Sequence, residues 1–398
     1  MKPEANPIQL ARQLLDWFEK HARDLPWRRT TDPYAIWISE IMLQQTQVKT
    51  VIPYWERWMR ALPDIGALAR SDPQSVLKLW EGLGYYSRAR NAHAAARMIV
   101  DLFKGEFPST VDDLCRLPGV GRYTAGAVCS IAFNQPAAIL DGNVARVLSR
   151  VYGIGGDLKS KIINERLWKQ AAELVDCARQ LPDRRLGGVS DCALQIAEDL
   201  TLKQSSFSAQ TTADSGGNCS RLNQALMELG ALICAPKTPA CVECPLSQLC
   251  FARQSNRMAD FPKSVARPVV TRRKFIAFLV LRNNKYLVQK RPENVVNASL
   301  WEFPNVEMVS GAPVNPNLAA RFLIIEKKPL LRIMHSITRY RIQLEVYRAE
   351  LEQGVKPTGT WVSLTKLKEL PFASAHRKVI EMLPLRFQRN LNPQLTRG

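Results

Sequence analysis

The chain contains no apolar run long enough to cross a membrane. Its clearest apolar stretch, Phe275 to Leu281, spans seven residues and is closed by Lys274 and Arg282, whereas a spanning helix needs about 20. The N-terminus lacks the apolar core of a secretory signal. Glu4, Asp16, Glu19 and Asp24 also argue against an acid-poor transit peptide. The expected compartment is therefore the cytoplasm, where thiols stay reduced and structural disulfides are rare. Nine cysteines then need another explanation.

Acidic residues are scarce as well. There are 36 of them against 55 Lys and Arg, a net charge of +19. A surplus of that size suggests a polyanionic partner, most simply a nucleic acid, although a soluble basic protein without one has the same count. An apolar content of 46% is too high for a disordered chain. The length predicts two or three domains.

Residues 8 to 170 read as a run of helices, with Asp32-Pro33 and Asp72-Pro73 as start signals. The stretch Leu181 to Ser220 departs from that pattern. Its later part, Gln204 to Ser220, is rich in Ser, Thr, Gln and Gly and reads as a solvated loop. Helical pattern resumes at Leu222, and cysteines cluster from Cys234 to Cys250. A basic, proline-containing linker over 251–273 follows. Beyond it the chain turns β-rich. Phe275 to Leu281 and Tyr286 to Gln289 flank a turn and read as a hairpin. A strand pair is expected between Leu330 and Leu351, and a closing helix from His376 to Leu383. The expected organisation is a helical domain over 8–250 followed by an α+β domain over 274–390.

Four cysteines, Cys234, Cys241, Cys244 and Cys250, have the spacing C-x6-C-x2-C-x5-C. Four thiolates on short tethers can wrap one compact metal centre, either zinc or an iron–sulfur cluster. Leu117-Pro118-Gly119-Val120-Gly121 joins two apolar helical stretches. Its glycines allow a tight turn that faces backbone N–H groups toward a phosphate, though an ordinary helix–helix turn is built the same way.

Two carboxylates stand out. Glu40 lies in the segment Ser39 to Gln47, where Ile38, Ile41 and Met42 mark one apolar helical face, and Glu40, Gln44 and Gln47 fall at i, i+4 and i+7 as a polar stripe, the usual pattern of a solvated face. Asp141 follows the apolar Ile139-Leu140 at the mouth of a helix, where an N-cap is the ordinary reading. Together they suit glycosidic bond cleavage, which needs an acid for the leaving group and an anion for the sugar cation.

The ordered set Leu25-Pro26-Trp27-Arg28, the Glu40 helix with Gln44-Gln45-Thr46, Gly82-Leu83-Gly84-Tyr85-Tyr86, the 117–121 hairpin, Leu140-Asp141-Gly142-Asn143 and the four cysteines resembles the MutY family of the endonuclease III superfamily. The match covers residues 8–250 except 181–220, which looks like an insertion. The resemblance implies an all-α helix–hairpin–helix DNA glycosylase domain whose cysteines hold a 4Fe–4S cluster. It implies that Glu40 protonates adenine at N7 and that Asp141 stabilises the sugar cation, with Tyr123 and Asn143 in support. It further implies that Leu25, Trp27, Arg28 and Gln224 line the pocket for the flipped adenine, and that Gln44, Gln45, Thr46, Tyr85, Gly119, Val120 and Gly121 meet DNA, with Gln45 and Tyr85 inserting beside the lesion. Extrusion of the base is required because the bond is inaccessible in a stacked duplex.

Tyr123 follows the Gly119-Val120-Gly121-Arg122 run, where the related bifunctional enzymes carry a Schiff-base lysine, so base release without strand cleavage is expected. The C-terminal domain resembles the Nudix-like domain of the same family through Leu300-Trp301-Glu302-Phe303-Pro304. Asn315 to Leu323 has no acidic residue to hold magnesium, so this domain reads as non-hydrolytic. The family's Phe-Ser-His lesion loop aligns with Ile337, Thr338 and Arg339, where Arg339 replaces the histidine. The expected protein is a monomeric, nucleoid-associated repair enzyme acting on double-stranded DNA with adenine opposite 8-oxoguanine or guanine. A thymine-specific relative and a catalytically inactive DNA-binding relative are the alternatives.

Overall fold

The computed structural model describes residues 6–183, 217–263, 269–337 and 339–390. Contacts divide the chain into two compact units, residues 1–66 with 98–265 and residues 67–97 with 266–398. The helices before the β-rich part are α1 (Pro7–His21), α2 (Pro33–Leu43), α3 (Val48–Ala61), α4 (Ile65–Arg70), α5 (Pro73–Leu79), α6 (Ser87–Phe103), α7 (Val111–Cys115), α8 (Arg122–Phe133), α9 (Gly142–Tyr152), α10 (Lys161–Gln180), α11 (Asn218–Leu232) and α12 (Phe251–Gln254). Among the described residues no helix is long and apolar enough to cross a membrane.

In the first unit the helix starts follow local chemistry. The Asp32 carboxylate accepts from Tyr34 N and Ala35 N, and Pro33 fills the first turn of α2. The core gathers Leu10 and Leu14 of α1, Val144 and Leu148 of α9, Leu174 of α10 and Leu226 of α11, each worth about 1.5–3 kcal/mol when removed from water. The helix α11 starts at Asn218, earlier than the expected Leu222. Its start is fixed by Asn134, whose side-chain oxygen accepts from Cys219 N and Ser220 N. Of the expected insertion, 184–216 lie outside the described residues.

The polar stripe expected through Glu40, Gln44 and Gln47 does not form. Helix α2 ends at Leu43, Gln45 takes φ 58°, and α3 begins at Val48, so Gln47 belongs to no common face with Glu40. Glu40 itself is 5% exposed, not solvated.

The second unit holds β1 (Thr271–Leu279), β2 (Leu281–Arg282), β3 (Lys285–Lys290), β4 (Trp301–Glu302), β5 (Asn305–Val309), β6 (Ala312–Pro313), α13 (Pro316–Ala319), β7 (Phe322–Ile324), β8 (Leu331–Ile337), β9 (Tyr340–Leu351), β10 (Thr360–Ser363), α14 (Leu364–Glu369) and α15 (Ser374–Asn390). The larger sheet runs β6-β5-β1-β9-β7, with β8 also on β9; the smaller runs β10-β3-β2, with β4 on β3. Strands β1 and β9 are parallel, and the other pairs are antiparallel. Successive side chains of β3 face opposite ways. Tyr286 and Val288 join the cluster of Phe303 and Val379, while Leu287 joins that of Phe278 and Phe322.

The expected hairpin is only partly realised. The stretch from Phe275 pairs with β5 and β9, and only the two-residue β2 pairs with β3. Asn283 and Asn284 both take left-handed φ, 49° and 57°, the geometry that joins a tight two-residue hairpin. The strand pair between Leu330 and Leu351 is β8 with β9, closing at Ile337 opposite Tyr340. The closing helix is α15. Strand β1 begins at Thr271, inside the segment read as linker.

Helix α8 is buried from Thr124 to Ile131. A Cβ on Gly126 would lie 2.2 Å from Ala138 O. Gly126→Ala should therefore destabilise the protein by about 1–3 kcal/mol through overpacking against backbone. Denaturant unfolding measures this, and an unchanged midpoint would contradict the packing described.

Candidate active site

Glu40 sits on α2, which is buried from Tyr34 to Met42. The Tyr123 hydroxyl, from the first turn of α8, donates to Glu40 Oε2 at 2.8 Å. Burial drives the Glu40 carboxyl up to about 7; the Tyr123 hydrogen bond opposes this, the Asp141 charge adds to it, and Arg28 pulls weakly the other way. Burial and the Glu40 and Asp141 charges raise the Tyr123 hydroxyl well above its ordinary value, so it stays a donor. The result is a carboxyl group that can still hold a proton at neutral pH.

Asp141 is the N-cap of α9, accepting from Val144 N at 2.7 Å. Asn143 Nδ2 donates to its other oxygen at 3.0 Å. Burial raises the Asp141 carboxyl, while Val144 N, the Asn143 side chain and Asn143 N hold it down. The ordinary reading of Asp141 as an N-cap is therefore realised in the structure. Arg146 Nη2 donates to Asn143 Oδ1 at 2.9 Å and to Gly230 O at 2.7 Å, and its Nε donates to Cys234 O at 2.7 Å.

Leu25 and Trp27 are buried, and Trp27 meets Trp55 edge-on with ring centroids 6.0 Å apart. Arg28 is held by Glu228, Nη2 to Oε2 at 3.0 Å, and lies over the Phe18 ring at 5.2 Å. Arg23 shares that carboxylate through Nε at 2.8 Å and Nη2 at 2.7 Å. Burial disfavours the Glu228 charge, but the Arg23 and Arg28 hydrogen bonds outweigh it and hold the carboxyl at about 2. Sequence reasoning missed Arg23, Glu228, Arg146 and Met227, whose sulfur lies 3.3 Å from the Tyr123 hydroxyl oxygen. Glu228 had a signal, being the sole acid in the apolar α11. Gln224, one turn earlier, donates to Ser220 Oγ at 3.1 Å.

Gly119 takes φ 76°, and Gly121 caps α8. Among the described residues no side chain caps that first turn, and a Cβ on Gly121 would meet nothing within 4 Å. Val120 differs: its side chain is buried and its N–H is committed to Leu117 O at 3.1 Å. Gln44 donates to Thr124 Oγ1 at 3.4 Å, Thr46 donates to Gln44 O at 3.4 Å, and Gln45 is exposed.

In the second unit Tyr85 is 41% exposed with φ 47°, under the Arg88 guanidinium at 5.6 Å. Ile337 ends β8, and Arg339, at the hairpin tip, donates to the Tyr340 hydroxyl at 3.1 Å and lies over that ring at 5.2 Å. Thr338 is outside the described residues.

Cys234, Cys241, Cys244 and Cys250 line one cavity, together with Arg150 and Leu246. Arg150 Nη1 donates to Cys234 Sγ at 3.2 Å. Burial pushes the Cys244 thiol up to about 12, with the Cys234, Cys250 and Cys241 sulfurs adding to the rise. Among the described residues no three such groups converge as ligands of a single metal ion.

The family model of the HhH-GPD superfamily base excision DNA repair protein matches residues 38–173, and that of the NUDIX domain matches 276–382. The adenine DNA glycosylase of Homo sapiens is 32% identical, over 93% of this chain and 73% of that protein. The mouse protein of the same name is 31% identical over 93% and 76%. That of Buchnera aphidicola subsp. Schizaphis graminum is 30% identical over 93% and 97%.

Glu228→Gln should cost about 2–4 kcal/mol, less than a fully enclosed pair because Arg23 is partly exposed. The Glu228 contribution is complete above its ordinary value of 4.5 and is lost as pH falls toward about 2. Unfolding free energies across that window should show a wild-type slope that the variant lacks; identical slopes would refute the ion-pair account.

Proposed function

Because the chain belongs to the adenine DNA glycosylases, we propose that Glu40 and Asp141 release adenine from DNA in which it is mispaired with 8-oxoguanine or guanine. The observation that carries this is the buried Glu40 carboxyl, raised to about 7 and hydrogen-bonded by Tyr123 within reach of the Asp141 charge. The protonated carboxyl gives its proton to N7 of the extruded base. The glycosidic electron pair leaves with adenine, and the sugar becomes an oxocarbenium-like cation beside the Asp141 carboxylate. Glu40, now ionised, accepts a proton from the water that adds to the sugar. Asn143 orients Asp141, and Tyr123 orients Glu40. With no amine at residue 123, the product is an intact strand bearing an abasic site.

Leu25, Trp27, Arg28 and Gln224 form the base pocket in this reading. Gln44, Gln45, Thr46 and Tyr85 meet the duplex. Phosphate falls to the amides around Gly119 and Gly121, while Val120 serves as the buried prop of the turn, as its engaged N–H and side chain suggest. The tip of the β8–β9 hairpin, with Ile337, Thr338 and Arg339, reads the opposing base. Arginine donates only and is always charged, so it favours phosphate, and the preference for 8-oxoguanine over guanine is smaller than with histidine there. The single-turn α13 over Pro316–Ala319 carries no acid, so the Nudix-like fold binds without hydrolysing.

Cys234, Cys241, Cys244 and Cys250 would hold a 4Fe–4S cluster. Four thiolates lining one cavity are the donor set that such a cluster takes at its corners. Bound there, it would cross-link the loop. Anaerobically purified protein should contain about four irons and four sulfides per chain; stoichiometric zinc without iron would overturn the assignment.

The decisive experiment is single-turnover excision on duplexes carrying adenine opposite 8-oxoguanine, adenine opposite guanine, and thymine opposite guanine. Adenine should be released from the first two and thymine retained. Glu40→Gln should keep mismatch binding and lose roughly 10²–10⁴ in rate, and the wild-type rate should fall as pH rises through about 7, where the carboxyl loses its proton. Thymine release, or near-normal excision by the variant, sinks the reading.

A further inference from the structure

The turn Trp80 to Tyr86, in the second unit, is held from within. Trp80 Nε1 donates to Gly84 O at 3.1 Å, Gly82 N donates to the Tyr86 hydroxyl at 3.2 Å, and Arg88 Nη2 donates to Leu83 O at 3.2 Å. Trp80, Leu83 and Tyr86 are buried, while Tyr85 stands exposed.

Glu81, four residues before Tyr85, engages the C-terminal part of the same unit. Its Oε1 accepts from Phe372 N and from Arg377 Nε, both at 2.8 Å, and its Oε2 accepts from Lys78 Nζ at 2.7 Å. Lys78 Nζ also reaches Leu370 O at 3.3 Å, and Arg377 donates to Leu367 O and Leu370 O. The Glu81 and Arg377 side chains are only 13% and 15% exposed, so the pair is partly desolvated and stronger than a surface ion pair. Phe372 is fully buried, its ring 5.8 Å from that of Phe303 in the core of the β-rich fold. Flanking contacts run the same way: Trp301 Nε1 donates to Gln74 Oε1 at 2.9 Å, and Arg90 Nη1 donates to Ala298 O at 2.9 Å.

We propose that Glu81 is a positioning residue that locks the Tyr85 turn to the 370–377 segment of the Nudix-like fold, so that the inserting side chain and the fold that reads the opposing base move as one body. This rests on the reading above that Tyr85 inserts into the duplex. A local structural contact would only add stability. A positioning contact also sets how far Tyr85 reaches when the protein is bound.

The test uses the full chain and duplexes carrying an uncleavable adenine analogue opposite guanine or 8-oxoguanine, with 2-aminopurine beside the opposing base. The fluorescence increase at saturating protein reports unstacking by the inserted side chain. Tyr85→Ala should abolish the increase. Glu81→Ala and Arg377→Met should lower it about threefold, the scale of coupling through packed side chains. Glu81→Gln keeps acceptors for Phe372 N and Arg377 and should restore most of it. Thermal melting of each variant is recorded alongside. A lowered melting temperature with the saturated increase unchanged would make Glu81 merely structural and overturn the proposal. Absence of any increase in wild type, or its persistence in Tyr85→Ala, would overturn the Tyr85 reading and this proposal with it. A wild-type increase that Tyr85→Ala removes and Glu81→Ala does not would sink this proposal alone.

Discussion

A carboxyl group keeps its proton near neutrality only where water is excluded and positive charge is kept at a distance, and the first unit is arranged around that demand at Glu40. Helices α2 and α8 pack on each other and are buried along most of their length, so neither shows the one-sided pattern of a surface helix. Burial alone would carry the carboxyl upward; the Tyr123 donor limits the rise. The guanidinium of Arg28, which acts on Glu40, is already engaged by Glu228. Its pull on Glu40 is the weakest of the four influences. The balance lies between an acid too weak to part with a proton and one that has already lost it.

Asp141 answers to a different part of the fold. Its partner Asn143 is held by Arg146, and Arg146 also grips Gly230 O and Cys234 O. The orientation of the second carboxylate is thus tied to the start of the four-cysteine loop. That loop is fastened again by Arg150, which donates to Ala235 O and Pro236 O at its start and also to Phe261 O, well beyond α12. Two arginines one turn apart on α9 thus tie a loop far along the sequence to the helix that Asp141 caps.

Much of this is legible in the sequence. Caps written into the chain as Asp-Pro set α2 and α5, and the short motifs named both carboxylates. The burial of Glu40 was not legible, because a polar residue four before a glutamine imitates a solvated stripe, and only the helix break at Gln44 and the cover from α8 undo that impression. Glu228 escaped because its partners Arg23 and Arg28 come from the opposite end of the unit's sequence. The hairpin was half legible. Asn283-Asn284 announces a tight turn, but β1 is claimed by a parallel partner, β9, from a distant part of the chain, and local pattern cannot choose between two apolar strands. Residues 67–97 belong to the second unit, and their hydrogen bonds to it come from Gln74, Glu81 and Arg90 among others, polar residues with no periodicity to reveal them.

Gln45 and Tyr85 share one backbone habit: each sits in the left-handed region, at φ 58° and 47°. That conformation costs an ordinary side chain about 1–2 kcal/mol, and a glycine or asparagine would occupy it with less strain. Both positions are therefore places where the chain gives up heat resistance for a projecting side chain. Directed evolution that rewards thermal survival alone would drift toward small residues at both, and would yield a hardier protein stripped of two projecting side chains.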